Sequence, residues 1–317
     1  MSTGEFALIK RFFSGQQITP ETVTQGIGDD CAVLDTTKVS DLVISTDTSI
    51  ADVHFPADAD PQFIGIRCLE VAVSDLAAMG AVPLYFTLNV SLPSNHNDWL
   101  AGFTKGLFES ANRFPITLIG GDTTKVTSLM HCQISATVFG SLQGQPGLYR
   151  SGATPNDHIY VTGTLGDSAL GLKAYQQPEE FKERDLQFLL DAYLSPKAQI
   201  EKGAALIGKA TSCIDISDGL LSDLGHILTA SGCGAEIYIN QLPLSTELLR
   251  YCSREQAIEL ALTGGDDYQL CFTSPLNQTQ LGIDNITCIG NITTNSGLIF
   301  IPKTYTPPNK TGFDHFL

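Results

Sequence analysis

Positive charge is scarce in this sequence: 18 Lys and Arg stand against 34 Asp and Glu, a formal net charge of −16 over 317 residues. That balance excludes long anionic partners held by clustered basic residues, nucleic acid and acidic membrane surfaces among them. No apolar run approaches the ~18 residues of a membrane span. Glu5 stands where a secretion signal needs positive charge, and a cytoplasmic chain is expected. The eight cysteines include no Cys-x-x-Cys pair and are scattered through apolar segments, which predicts free buried thiols. His-Glu-x-x-His, Gly-x-Ser-x-Gly and any grouping of the six histidines are also missing, so zinc-protease and serine-hydrolase chemistry lack their residues.

What is plentiful is apolar residues, 43% of the chain, and aspartate, with 22 Asp against 12 Glu. The first supports two packed α/β domains. The second matters because many of the aspartates sit beside Gly, Ser or Thr, and short carboxylates on turns suit hard cations. In the first half, the patterns predict an amphipathic helix over 5–13 and strands over 31–34 and 42–46. A largely buried helix follows from Pro61 to about Met79, then a strand over 85–92, a helix over 98–114, and strands over 116–119 and 130–139. Residues 143–157 concentrate Gly, Pro and polar residues and read as a linker between an N-terminal domain (1–142) and a C-terminal domain (158–317). The second half repeats the style, with strands expected over 158–161, 213–216, 235–239, 268–272, 287–289 and 298–301, and helices to about Lys209 and to Ser231.

Acidic turns recur at the expected strand ends, where α/β proteins place ligands. Gly26-Ile27-Gly28-Asp29-Asp30 precedes a strand and fits either a solvated turn or a cation site. Ser45-Thr46-Asp47-Thr48 ends a strand, as ordinary terminators do, and also offers hydroxyl and carboxylate ligands. Asp75 lies inside a helix that is apolar almost all round, where a carboxylate needs a counter-charge or a metal. Gly120-Gly121-Asp122-Thr123-Thr124 is read either as a close approach of backbone to phosphate or as a hairpin turn. In the second half, Thr162-Gly163-Thr164-Leu165-Gly166-Asp167 has the strand, turn and helix-start order that binds anions. Asp215-Ile216-Ser217-Asp218-Gly219 leaves Asp218 open as a helix cap or a metal ligand, and Gly264-Gly265-Asp266-Asp267-Tyr268 repeats the acidic pattern. Gly203 to Lys209 has P-loop spacing, but Ala210 replaces the hydroxyl residue and the segment is expected to be helical. An acidic protein binds a nucleotide by letting Mg²⁺ neutralise the phosphates.

The ordered set GIGDDCAVL (26–34), STDT (45–48), VHF (53–55), SDLAAMGA (74–81), GGDTT (120–124), YVTGTLGDSALGL (160–172), DISDGLLSDLGHI (215–227), GGDDYQLCFT (264–273) and GFDHF (312–316) resembles the thiamine-monophosphate kinases. These belong to the aminoimidazole-ribonucleotide-synthetase-like superfamily. The resemblance implies two α/β domains, the N-terminal one carrying a mixed sheet that pairs in a homodimer, with ATP and several Mg²⁺ in a cleft. It implies Mg²⁺ ligands at Asp30, Ser45, Thr46, Asp47, Asp75, Asp122, Asp215 and Asp218, and ATP contacts at Gly121, Asp122, Arg150 and Ser217. It places His54, Asp266 and Phe313 on thiamine monophosphate. The reaction implied is transfer of the γ-phosphoryl of ATP to that substrate, whose phosphate is already an anion, so no strong general base is required. The chain departs from the family's usual GGEDYEL at Asp266 and Gln269, and the shorter Asp266 must reach the substrate differently. A sister ATP-using enzyme of the superfamily, a Mg²⁺-dependent phosphohydrolase and a non-catalytic nucleotide-binding regulator are the alternatives.

Overall fold

A computed structural model describes residues 9–13, 20–25, 32–39, 41–92, 97–128 and 131–313. Two compact units make up the chain, one drawn from Met1–Leu76 and Ala81–Gln145, the other from Ala77–Gly80 and Pro146–Leu317.

In the first unit, a helical turn Ile9–Phe13 is the described part of the expected N-terminal helix. Strands β1 (Val23–Gln25) and β2 (Val33–Leu34) form a small antiparallel ribbon. There follow β3 (Val43–Ile50), α1 (Pro61–Ala78), β4 (Val82–Leu92), α2 (Asn97–Arg113), β5 (Thr117–Lys125) and β6 (Gln133–Ser141). Their sheet has the order β3-β6-β4-β5, antiparallel except for the parallel β4–β5 pair. Proline opens α1, where its missing N–H costs nothing. From Ile64 to Ala78 every residue of α1 is buried except Asp75. The buried polar residues of that helix are satisfied: Glu70 accepts from Arg113 (3.0 Å) and Ser110 (3.2 Å), and Arg67 Nε donates to the His54 carbonyl (3.1 Å).

The second unit contains β7 (His158–Thr162), α3 (Asp167–Gln176), α4 (Glu183–Leu194), α5 (Ile200–Leu206), β8 (Ser212–Asp215), α6 (Leu220–Ser231) and β9 (Gly234–Tyr238). It continues with α7 (Leu248–Tyr251), α8 (Arg254–Thr263), β10 (Leu270–Ser274), α9 (Gln278–Leu281), β11 (Ile286–Thr293) and β12 (Gly297–Ile301). The sheet order is β12-β9-β11-β7-β10-β8, antiparallel apart from β12–β9. Its core gathers Ile214, Ile216, Leu220 and Leu224 around β8 and α6. Both sheets are mixed, and the architecture is of the expected α/β (α+β) class.

Two expectations about strand ends are corrected. Ser45-Thr46-Asp47-Thr48 lies inside β3, because β6 pairs with β3 all the way from Val43 to Ile50, and Gly120 to Thr124 lies inside β5, because β4 runs eleven residues and keeps β5 paired as far as Lys125. The P-loop look-alike is helical as far as Leu206 and a turn over its last three residues; a Cβ at Gly203 would stand 2.0 Å from the Ala77 carbonyl oxygen, so that glycine serves packing. The described cysteines are all free, five of them buried, and burial pushes the Cys132 thiol up to about 11.

Candidate active site

In β3, side chains alternate, so Ser45 and Asp47 share one face and Thr46 takes the other. The Ser45 hydroxyl donates to Asp75 Oδ2, joining β3 to the one unburied position of α1 between Ile64 and Ala78. Thr46 instead bonds Thr137 across the opposite face (2.9 Å). The register puts Asp122 in line with Asn89, Ser135 and Thr48, which is Thr46's face, with β4 and β6 between it and β3. Three strand spacings amount to ~14 Å, so within this unit Asp122 does not join the Ser45–Asp75 pair. It is exposed and accepts the Thr123 amide (2.9 Å). Gly121, beside it, is exposed too. Asp30 lies outside the described residues.

After β3 the chain turns through His54, whose Nδ1 accepts the Ile50 amide (3.0 Å). A ring nitrogen that accepts an N–H carries no proton, so His54 is set as the tautomer with its proton on Nε2. With the Arg67 bond to its carbonyl, the residue is held at both backbone and ring.

In the second unit, the turn between β8 and α6 is a hub. Asp215, 5% exposed, ends β8. The amides of Ser217, Asp218 and Gly219 all donate to Asp223 Oδ2, at 3.0, 3.1 and 3.1 Å. Asp223, one turn into α6, therefore does what a capping residue does, and Gly219 stands at the N-cap position. The capping role left open for Asp218 is not its role. The carbonyls of the same turn accept from two other segments. Asp266 N reaches Ser217 O and Tyr268 N reaches Ile216 O, both at 2.8 Å, while Phe313 N reaches Asp218 O at 2.9 Å. A Cβ on Gly265 would lie 2.4 Å from Ser217 O, which is why glycine precedes Asp266. Asp215, Ser217, Asp218, Asp266 and Phe313 are thus brought together through backbone. Arg150 is not part of this group: its carbonyl accepts the Ser231 hydroxyl (3.3 Å) at the far end of α6. A helix of that length spans ~18 Å.

The anion site expected at Gly163 to Ser168 is filled from within. Asp267 presents its carboxylate to the amides of Gly166 (2.8 Å) and Ser168 (3.4 Å) at the start of α3. Asp223 and Asp267 were the residues missed in the sequence. Both lie inside recognised motifs, yet nothing in the spacing says that an internal carboxylate caps the turn.

Burial, with Asp218's charge second, pushes Asp223 up to about 7 against the three amides that favour its ionised form. Asp267 and its neighbour Asp167 are also raised, in each case first by burial. A carboxyl whose folded pKa exceeds its unfolded value of 3.8 binds protons in the folded state that the unfolded chain has released. Its contribution is therefore complete below about pH 4 and is lost as pH rises through the folded value. Thermal stability is expected to decline from mildly acidic to alkaline pH, with Asp167→Asn flattening that decline. Melting curves across the range check it, and a wild-type melt that rises steadily with pH contradicts it.

Among the described residues no group of three or more His, Cys, Asp or Glu side chains could hold a metal ion by itself. The donors present are hard oxygens in ones and twos: the Ser45 hydroxyl bonded to Asp75, and Asp215 and Asp218 at either end of the short turn between β8 and α6. This suits Mg²⁺, which keeps its waters and uses one or two carboxylates plus substrate phosphates. No described helix is long and apolar enough to cross a membrane.

Residues 28–142 match the AIR synthase related protein N-terminal domain and residues 154–280 its C-terminal domain. The thiamine-monophosphate kinase of Escherichia coli is 44% identical over 329 residues, covering 100% of this chain and 99% of that protein. A thiamine-monophosphate kinase structure from Stenotrophomonas maltophilia aligns with a TM-score of 0.85 at 37% identity, over 96% of this chain and 99% of that one. AaThiL complexed with AMPPCP and TMP aligns with a TM-score of 0.78 at 31% identity, over 87% of each chain. With matches to both domains and near-complete coverage of its relatives, this chain belongs to the thiamine-monophosphate kinase family.

Proposed function

We propose that the chain transfers the γ-phosphoryl group of ATP to the phosphate of thiamine monophosphate, giving thiamine diphosphate and ADP. A phosphate oxygen of the acceptor attacks the γ-phosphorus, the bond to the β–γ bridging oxygen breaks, and ADP leaves. The observation that carries this reading is the turn Ile216–Gly219, to which the Asp266 loop and the Phe313 segment are both hydrogen-bonded. Nucleotide-side and acceptor-side residues then share one rigid support, as in-line transfer between two anions requires.

In this reading Ser217, Gly121, Asp122 and Arg150 contact ATP, while His54, Asp266 and Phe313 contact the acceptor. His54 offers its Nε2 proton, Phe313 a ring that is 44% exposed, and Asp266 a negative charge suited to the cationic thiamine skeleton. Several Mg²⁺ ions would be held among Asp30, Ser45, Thr46, Asp47, Asp75, Asp122, Asp215 and Asp218, Asp122 apart from the Ser45–Asp75 pair and Thr46 with a backbone or hydroxyl oxygen on its own face. When bound, they supply the charge neutralisation that a phosphate-binding site poor in Lys and Arg lacks. Purified protein given ATP, Mg²⁺ and thiamine monophosphate is expected to form ADP and thiamine diphosphate in equal amounts. Orthophosphate without the diphosphate would favour the phosphohydrolase reading.

The functional form is a homodimer, acting in the cytoplasm where ATP and Mg²⁺ are available. One face of the first unit's sheet supports the dimer: β3 is an edge strand, and Leu42 just before it and Ile44 within it are 46% and 55% exposed. Sedimentation at micromolar concentration is expected to give a dimer. Ile44→Lys should shift it to monomer, and a monomeric wild type would contradict the assignment.

A further inference from the structure

The segment that carries Asp266 is strained. Asp266 has φ 66° and Tyr268 has φ 47°, two left-handed residues on either side of Asp267. Asp tolerates that conformation, but for a bulky side chain it is an outlier, held only when the surroundings over-determine it. Here they do. The amides of Asp266 and Tyr268 are fixed to Ser217 and Ile216, and Asp267 is buried with its carboxylate on the start of α3. The Tyr268 ring is 9% exposed, which an unstrained backbone could equally well arrange. What the left-handed turn adds is a hydrogen bond, Tyr268 Oη donating to Asp266 Oδ1 at 3.0 Å.

We propose that Tyr268 is a positioning residue for the acceptor substrate: its hydroxyl holds the Asp266 carboxylate in one orientation toward thiamine monophosphate. The inference rests on the reading of Asp266 as an acceptor contact. It explains how the shorter acid serves where relatives of the GGEDYEL pattern carry Glu. A carboxylate at the end of a one-carbon stem cannot fold toward a ligand by its own rotamers as Glu can, so it must be aimed by backbone and neighbour. Strain in the backbone aims it, and the tyrosine hydroxyl locks it.

Tyr268→Phe removes one oxygen and keeps the ring. Its KM for thiamine monophosphate is expected to rise roughly 5- to 20-fold, at or below the ~10-fold and more that losing a hydrogen bond to a charged group costs, because the Asp266 carboxylate itself remains. The KM for ATP and kcat should stay within about twofold. Asp266→Ala should raise the same KM, and the double variant should add nothing to Asp266→Ala alone. If Asp266→Ala raises the KM and Tyr268→Phe does not, Asp266 keeps its role and the positioning role of Tyr268 is wrong. If Asp266→Ala changes nothing, the acceptor-site reading itself fails and takes this inference with it. Equal changes in both KM values for Tyr268→Phe, or multiplicative effects in the double variant, would also overturn the proposal. Circular-dichroism melts accompany the kinetics. For a variant that melts early, rates are compared at a temperature where both proteins are folded, so a loss of fold is not read as a loss of positioning.

Discussion

Asp75→Asn is expected to lower turnover by ~10²–10³-fold, the scale on which deleting one preorganised electrostatic group acts, while leaving the fold intact. Asn retains an oxygen that can accept from Ser45, so the link between β3 and α1 survives and only the charge is lost. That charge sits at the one unburied position between Ile64 and Ala78. Removing it should leave the melting temperature nearly unchanged. Falling activity at unchanged stability marks a residue kept for function. Steady-state assays over a range of Mg²⁺ concentration, with melting curves on the same preparations, make the comparison. Near-wild-type turnover of Asp75→Asn at low Mg²⁺ would remove Asp75 from the metal site.

Asp75 was legible in the sequence because a carboxylate inside an apolar helix breaks a local pattern, and a break in pattern is a signal. The amphipathic helices α2 and α6, and α1, which Pro61 opens and Gly80 follows, also fell close to where they were expected. Of the strands, β7, β8, β9 and β12 match their expected spans to within about a residue, whereas β3, β5 and β11 run several residues longer. β5 continues through two glycines and an aspartate because β4 is there to pair with, and a partner strand is information that a local window does not hold. Helix α8 was missed although Ser253 and Gln256 form a reciprocal capping box, a local signature that was there to be read. The faces of β3 were readable once its extent was known, since period two alone separates Thr46 from Ser45 and Asp47. The roles of Asp223 and Asp267 were not readable at all. Asp223 reaches amides only four to six residues back, but it takes the cap from inside the helix, so Asp218 and Gly219 look like the capping candidates, and Asp267 meets Gly166 from 101 residues away.

Alanine at one of these missed positions should be costly. Asp223→Ala leaves the amides of Ser217, Asp218 and Gly219 without their shared acceptor, in a turn whose Gly219 amide is buried. Unsatisfied buried donors cost ~1–3 kcal/mol each. Against this stands relief from burying a charge close to Asp218, the two effects that raise Asp223 to about 7. Water will reach the more exposed amides, so the net loss is expected near ~3 kcal/mol, or about 6–12 °C in the melt of a unit of this size. Function should suffer beyond stability, because the same turn carries the Asp266 loop and the Phe313 segment on its carbonyls. Once its amides let go, both substrates lose their support, and the KM values for ATP and thiamine monophosphate should rise together. Tyr268→Phe, by contrast, should move only one. Asp223→Asn keeps an acceptor oxygen for the three amides and sheds the charge, so it should recover most of the lost stability and both KM values. Melts and kinetics on the three proteins test the ranking, and an Asp223→Ala variant as stable as wild type would mean that the turn is held by its other contacts.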